Sequence, residues 1–351
     1  MSSSDFLFPH RLTRRDFLKL TSVAAAGLGL PDRVSAQESQ KPVRLGSGYH
    51  TYELVAGWGP LPPGMKYGLG CGVVVDSQDR VYVHTRSNPS VMLFDREGTL
   101  LETWGEAFAE SIGTTGEKFT KTAHCVYWSK EGGHEYPYFT DHPRGLVMKT
   151  DLKGKILLTI GNVTAESSTS IKHTFDNPTD VAISAHGDIY VCEGYGSQLV
   201  HRFIKEGKWI KTIGGKGTEH GKFNTCHGIW INTLKNEPEV YIADRANKRL
   251  EVYSLDLEFK RSIGDVRNPC CFYQHQGNLY IPDLASRLTI IDANDKLVAH
   301  LGDGMDPKDK DKNPATFATP HAMAVDSRGD LYVVEWLEYG RVRKFRHAPQ
   351  V

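Results

Sequence analysis

The sequence carries no excess of either charge, 42 Lys and Arg standing against 42 Asp and Glu. Such a chain projects no long-range field toward polyanions, so neither nucleic acid nor anionic lipid is an expected partner. No apolar run is long enough to span a bilayer, and no membrane span is expected. The low hydrophobicity that marks disorder is missing too: 39% of residues are hydrophobic and 24% charged, a globular balance. The segment Asp303 to Asn313 alternates Asp with Lys but lacks the Gly-centred spacing of a calcium loop, so it reads as solvated. What the chain does have is turn formers, 34 Gly and 17 Pro, together with 15 Tyr, which points to many turns between short strands.

The first 36 residues read as an address. Thr13-Arg14-Arg15-Asp16-Phe17-Leu18-Lys19 precedes the small and apolar run Leu20 to Leu30, and Val34-Ser35-Ala36 fits a small-residue cleavage site. This resembles a twin-arginine export signal, which implies a soluble protein delivered to the periplasm or secreted. Residues 37–49 are expected to be a linker, and residues 50–351 the folded domain.

A strand, tight turn, strand, acidic residue, strand, turn, strand pattern recurs six times. The second strands are Arg80-Val81-Tyr82-Val83, Tyr136 to Phe139, Asp188 to Val191, Glu239 to Ile242, Asn278 to Ile281 and Asp330 to Val333, each short and rich in aromatic or β-branched residues. Five repeats close with a fourth strand ending in Gly, at Gly105, Gly161, Gly214, Gly264 and Gly302; the sixth stops after Lys344-Phe345. Its missing strand lies at the other end of the chain, where Tyr52 to Gly59 matches Leu100 to Gly105. The units resemble NHL repeats, which implies an all-β six-bladed β-propeller closed by an N-terminal strand completing the last blade.

A propeller names no function, so function must come from positions that break the repeat. At the start of the innermost strands, blades one to six carry Cys71, His124, Thr179, His227, Cys270 and His321. Histidine occupies alternate blades, so the three imidazoles converge on the channel axis about a third of a turn apart. Three protein ligands with a fourth position free is the arrangement of a catalytic zinc, although Fe or Cu tolerates the same ligands. The competing reading of each histidine is a hydrogen-bonded channel residue.

A second column stands where the second strands end: Thr85, Asp141, Glu193, Asp244, Asp283 and Glu335, followed by Arg86, His142, Gly194-Tyr195, Arg245, Leu284 and Trp336. In an up-and-down blade this loop shares a face with the loop entering strand one, so Arg86, Arg245, Tyr195 and His142 should rim the proposed metal. The acidic residues themselves are expected to fix turns or brace neighbouring blades.

Glu193-Gly194-Tyr195, Phe223 to His227, Val240 to Leu250 and Pro320-His321 resemble the peptidyl-α-hydroxyglycine α-amidating lyase family. The resemblance implies a zinc held by His124, His227 and His321, a functional tyrosine at Tyr195 and functional arginines at Arg86 and Arg245. It further implies cleavage of the C–N bond of a small or peptidyl carboxylated N-acyl hemiaminal, releasing glyoxylate. Where the family has a calcium-binding Asp after its third zinc histidine, Ala322 follows His321, so Ca2+ is not carried over. Tyr195 can serve as base if cationic neighbours depress its pKa; otherwise its hydroxyl caps a turn. A hydrolase reusing the three-histidine site, or an exported scaffold binding a ligand or protein without chemistry, are the alternatives, and a monomer is expected. The six cysteines read as small buried thiols, with disulfides or a thiolate ligand at the channel mouth as the competing readings. Substrate specificity is assigned to rim loops such as Glu106 to Lys121 and Asn162 to His173.

Overall fold

In the computed structural model, residues 42–304 and 314–349 are described. The segment expected to be an export signal, residues 1–36, and most of the segment Asp303 to Asn313 lie outside them. Among the described residues no helix is long and apolar enough to cross a membrane. Six sheets, each built on four antiparallel strands, follow one another along the chain. They are the blades of a six-bladed β-propeller.

The inner strands are Gly70–Val75, Ala123–Glu131, Asp180–Ile183, Cys226–Asn232, Tyr273–His275 and Pro320–Val325. Several are buried along most of their length and read as apolar runs of small or β-branched residues, as a strand packed on both faces must. The repeated tyrosine of the second strand explains why the motif recurs. Tyr82, Tyr138, Tyr190, Tyr241, Tyr280 and Tyr332 are all buried, and most reach the next blade. The Tyr190 hydroxyl donates to the Leu255 carbonyl at 2.8 Å, Tyr82 packs on Trp128 with ring centroids 5.2 Å apart, and Tyr280 meets Tyr52 at 3.3 Å between hydroxyls. Tyr82, Tyr190 and Tyr280 thus each place an aromatic ring in an inter-blade seam, and the hydroxyls of Tyr190 and Tyr280 find partners across it. Recurrent aspartates hold the turns: Asp76, Asp151, Asp292 and Asp326 each accept two backbone N–H groups from the residues two and four positions on.

Closure follows the sequence expectation. Tyr52–Val55 pairs antiparallel with Arg341–His347, Tyr52 opposite His347 and Val55 opposite Lys344. The strand ends at Val55 rather than at Gly59, because the chain turns at Gly57, whose φ is +69°. Arg44–Leu45, within the segment expected to be linker, is a further strand on the outside of this sheet. Leu45 is buried in the blade-six core and Arg44 pairs with Glu53, which is what draws these two residues into the sheet. The loop Glu106 to Lys121 is likewise not irregular: it holds two short helices, Glu106–Ser111 and Gly116–Thr122, docked by Phe108 and Phe119 on Trp104 and Phe139. Within Asn162 to His173, Ser170–Lys172 adds a short parallel strand to blade two.

Candidate metal centre at the channel mouth

Four of the six inner strands carry a one-residue irregularity at the histidine column. Ala123 and Val126 oppose Asp141 and Phe139, Cys226 and Ile229 oppose Asp244 and Ile242, and the same extra residue occurs at Gly70/Gly72 and Pro320/Ala322. These are β-bulges, which re-aim side chains that a regular pleat would send to opposite faces. They lie at His124, His227, His321 and Cys71.

A repeated backbone bond locks the second column against the first. The N–H groups of Arg86, His142, Arg245, Leu284 and Trp336 donate to the carbonyls of Leu69, Thr122, Thr225, Asn268 and Thr319, always two residues before the column position. In blade three the Gly194 N–H bonds instead to the Thr179 hydroxyl at 3.2 Å. Gly194 is required there, because a Cβ would lie 2.3 Å from the Cys226 carbonyl oxygen. The acidic column does what the sequence implied. Asp244 accepts from the Asn224 N–H, Asp283 from those of Arg267 and Asn268, and Glu335 from those of Ala318 and Thr319, so buried carboxylates shape the loops entering strand one.

The three histidines are buried and share one anchoring pattern. Nδ1 of His124 contacts the Thr179 carbonyl at 2.6 Å, that of His227 the Cys270 carbonyl at 2.8 Å, and that of His321 the Cys71 carbonyl at 2.9 Å. Each acceptor is the column residue of the following blade, which explains the alternation: every second position orients the imidazole before it. A carbonyl can only accept, so each Nδ1 carries the hydrogen and each neutral ring directs an Nε2 lone pair at the axis. Burial lowers all three pKa values, that of His321 to about 3, with Arg245 next in effect there. The rings are therefore neutral at pH 7. One ligating atom from each histidine lies within 4.8 Å of the others, and Nε2 of His124 and His227 are 3.1 Å apart. Nε2 of His321 is buried without a hydrogen-bond partner. Facing lone pairs at this spacing are repulsive unless a cation lies between them. Tetrahedral zinc with 2.0–2.1 Å bonds sets nitrogen ligands about 3.3 Å apart, so this donor set fits such an ion.

Around this point stand the other predicted residues. The Tyr195 hydroxyl is 3.2 Å from His124 Nε2, 3.1 Å from His227 Nε2 and 3.3 Å from Nη1 of Arg245. Burial raises its pKa above the usual phenol value, and Arg245 and Arg86 oppose the rise. On its own the chain thus keeps Tyr195 protonated, in contrast to the depressed pKa on which a base role depends. The two arginines are anchored equivalently on opposite blades. Arg86 Nε donates to the Ala123 carbonyl at 2.9 Å and Arg245 Nε to the Pro269 carbonyl at 3.4 Å, each the residue before the next blade's column position. Arg86 also donates to His142 Nε2 at 2.8 Å and stacks over Trp336 at 4.8 Å. His142 is lowered to about 4 by burial and by Arg86, so it receives that bond as a neutral ring.

Trp336 is the residue whose role sequence reasoning missed. Its ring lies 5.0 Å from that of His321 and beneath the Arg86 guanidinium, walling one side of the site. Its place in the column with Arg86, His142 and Arg245 was the available signal. The cysteines are all buried and free, with no disulfide among the described residues. Burial raises Cys71 and Cys270 to about 12, so the two thiols in the histidine column stay protonated.

A family model described as a 6-bladed beta-propeller matches residues 169–323. NHL repeat-containing protein 3 of Homo sapiens is 28% identical over 217 residues, 58% of this chain and 57% of that protein. The chain is a six-bladed propeller related to NHL-repeat proteins. A more distant relative is peptidyl-alpha-hydroxyglycine alpha-amidating lyase 2 of Drosophila melanogaster, 27% identical over 187 residues, 52% of this chain and 44% of that one. The matches thus span about half the length of these relatives. Among solved structures, a gluconolactonase from Xanthomonas campestris superposes with a TM-score of 0.60 at 10% identity, over 88% of this chain and 96% of its own. A streptogramin B lyase does so with a TM-score of 0.57 at 12% identity, over 87% and 98%. At such identities these likenesses speak for the fold alone.

Proposed function

We propose that the protein is a metal-dependent lyase that cleaves the C–N bond of a small carboxylated N-acyl hemiaminal, with Zn2+ on His124, His227 and His321. The observation that carries this reading is the convergence of three neutral Nε2 lone pairs and the Tyr195 hydroxyl on one point, with Tyr195 3.1 Å from His227 and 3.3 Å from Arg245. The distant similarity to proteins named amidating lyases supports it. Zn2+ bound there supplies Lewis acidity, which lowers the pKa of a hydroxyl or carboxyl-linked oxygen beside it.

The rest belongs to this chain's residues. Arg86 and Arg245, each held at Nε by a backbone carbonyl, present guanidinium forks from opposite sides and hold the substrate carboxylate, a bidentate task that Lys does not reproduce. Tyr195, as phenolate, takes the proton from the substrate hydroxyl. The electron pair of that O–H bond becomes the carbonyl of glyoxylate as the C–N bond breaks, and the proton passes to the departing amide nitrogen. Atoms balance without water or oxidant: N-acyl-α-hydroxyglycine gives a primary amide and glyoxylate. Because burial favours the neutral phenol, Tyr195 ionises only when the cationic charge beside it outweighs that burial. The test is to offer N-acyl-α-hydroxyglycines to the zinc-loaded protein and measure glyoxylate. Zinc-loaded protein that releases none would overturn the reading.

A further inference from the structure

One residue further along each inner strand lies a second ring of positions: Gly72, Cys125, Asp180, Gly228, Cys271 and Ala322. Three of them carry donors. Ligating atoms of Cys125, Asp180 and Cys271 lie within 4.8 Å of one another, contributed by blades two, three and five. They are 4%, 4% and 7% exposed. The bulge at blade two makes this ring accessible to a residue adjacent to a metal-site histidine, since in a regular strand His124 and Cys125 would point to opposite faces.

The surroundings are apolar. The cluster borders a cavity of about 40 Å³ in the channel, walled by Val73, Val126, Trp128, Trp230 and Met323. That is room for an ion with a water molecule. Asp180 is hydrogen-bonded by the Cys125 thiol at 2.6 Å and by the N–H groups of Val181 and Ile229, and among the described residues no cationic side chain pairs with it. A buried carboxylate beside two thiols, at an apolar cavity and without a cationic partner among the described residues, is a donor set with room for a metal cation.

We propose that Cys125, Asp180 and Cys271 form a second metal centre, a Cys2Asp site for a thiophilic divalent ion such as Zn2+, one layer below the three histidines. Two sulfurs and one carboxylate select a zinc-like ion over Ca2+ or Mg2+, which take oxygen ligands. Binding releases the two thiol protons to solvent and leaves a fourth position open toward the cavity. Standard bond lengths place sulfur and oxygen about 3.5 Å apart, so coordination widens the Cys125–Asp180 contact by about an ångström. The site is independent of the lyase reading, since none of its donors belongs to the histidine layer.

Cobalt(II) separates the two centres. The full chain, purified under reducing conditions and stripped of metal, is titrated with Co2+. A sulfur-to-cobalt charge-transfer band in the near ultraviolet is expected, which three imidazoles cannot produce. Cys125→Ser and Cys271→Ser should each abolish or strongly weaken that band, whereas His227→Ala and Cys270→Ser should retain it. Should a serine variant fail to fold, X-ray absorption at the zinc edge of the parent protein decides, with sulfur scatterers expected at about 2.3 Å. A parent with no thiolate band and no sulfur scatterers overturns the proposal. So does a thiol count showing Cys125 and Cys271 joined as a disulfide, or a band that depends on Cys270 instead.

Discussion

His321 on the last blade donates its Nδ1 hydrogen to the carbonyl of Cys71 on the first, 2.9 Å away across 250 positions of sequence. The third imidazole of the candidate metal centre is therefore oriented across the seam between the two ends of the repeat array. The chain leaving the strand that completes blade six supports that seam, because Trp58 packs between Phe94 of blade one and Tyr332 of blade six; Tyr52, 2% exposed, secures the same blade against Tyr280 of blade five.

Closure and metal binding are thus expected to fail together. Removing residues 1–62 should lower the thermal midpoint sharply and reduce the metal content of what stays soluble. Tyr52→Ala, a smaller change, should cost about 3–5 kcal/mol in denaturant unfolding, as for other large buried rings. A truncated chain as heat-resistant as the parent would remove the closure argument.

Single replacements His124→Ala, His227→Ala and His321→Ala should each lose most of one metal equivalent, measured by elemental analysis, while far-ultraviolet circular dichroism remains that of the parent. The expectation is equal across the three because each ring has the same carbonyl anchor. Metal loss from one variant only would contradict it.

Tyr195→Phe preserves the ring against His124 and His227 and removes only the hydroxyl. Its kcat for glyoxylate release should fall by about 10²–10⁴-fold with little change in KM, as for a residue acting in the transition state. A change confined to KM would reassign Tyr195 to substrate binding.

Arg86→Lys should act in the opposite sense, raising KM at nearly constant kcat. The loss of a charge-assisted hydrogen bond to the substrate carboxylate is worth about 1.5–3 kcal/mol. The variant also forfeits the stacking on Trp336. Equal kcat and KM for the two side chains would exclude Arg86 from carboxylate binding.

A pH dependence follows from His84, buried against Phe119 and Phe139 with Nδ1 on the Ser90 carbonyl and Nε2 unpartnered. Burial lowers its pKa from 6.5 to about 4. Between those values the unfolded chain takes up a proton that the folded chain does not, so stability falls as pH drops through this window. The slope approaches about 1.4 kcal/mol per pH unit, a total of about 3 kcal/mol. His84→Leu should reduce the slope of unfolding free energy between pH 6.5 and 4 by its own share, leaving that of His124, His142, His227 and His321, whatever its effect at pH 7. Parallel curves for parent and variant would assign the acid sensitivity elsewhere.

Much of this was legible in the chain. Strand alternation, the tyrosine of every second strand and the Gly-bounded turns are local signals, and six copies reinforce one another. The alternate-blade histidines emerged from aligning those copies, as did Arg86, Arg245 and Tyr195. The strands Arg44–Leu45 and Ser170–Lys172 were not legible, because two or three residues carry no periodicity and pair only when a finished sheet edge is beside them.

The sequence by itself determined the number of blades, the strand that closes the ring and the identity of the residues lining its mouth, since each is set by residue type and repeat position. Only the tertiary structure decided that the carbonyls of Thr179, Cys270 and Cys71 orient the imidazoles, that Arg86 lies on Trp336, and that Cys125, Asp180 and Cys271 meet. Contacts between blades form only in the closed ring, and for the imidazoles and Cys125 the further physical reason is the bulge. One inserted residue reverses which side chain faces the axis, and neither composition nor spacing distinguishes a bulged strand from a regular one.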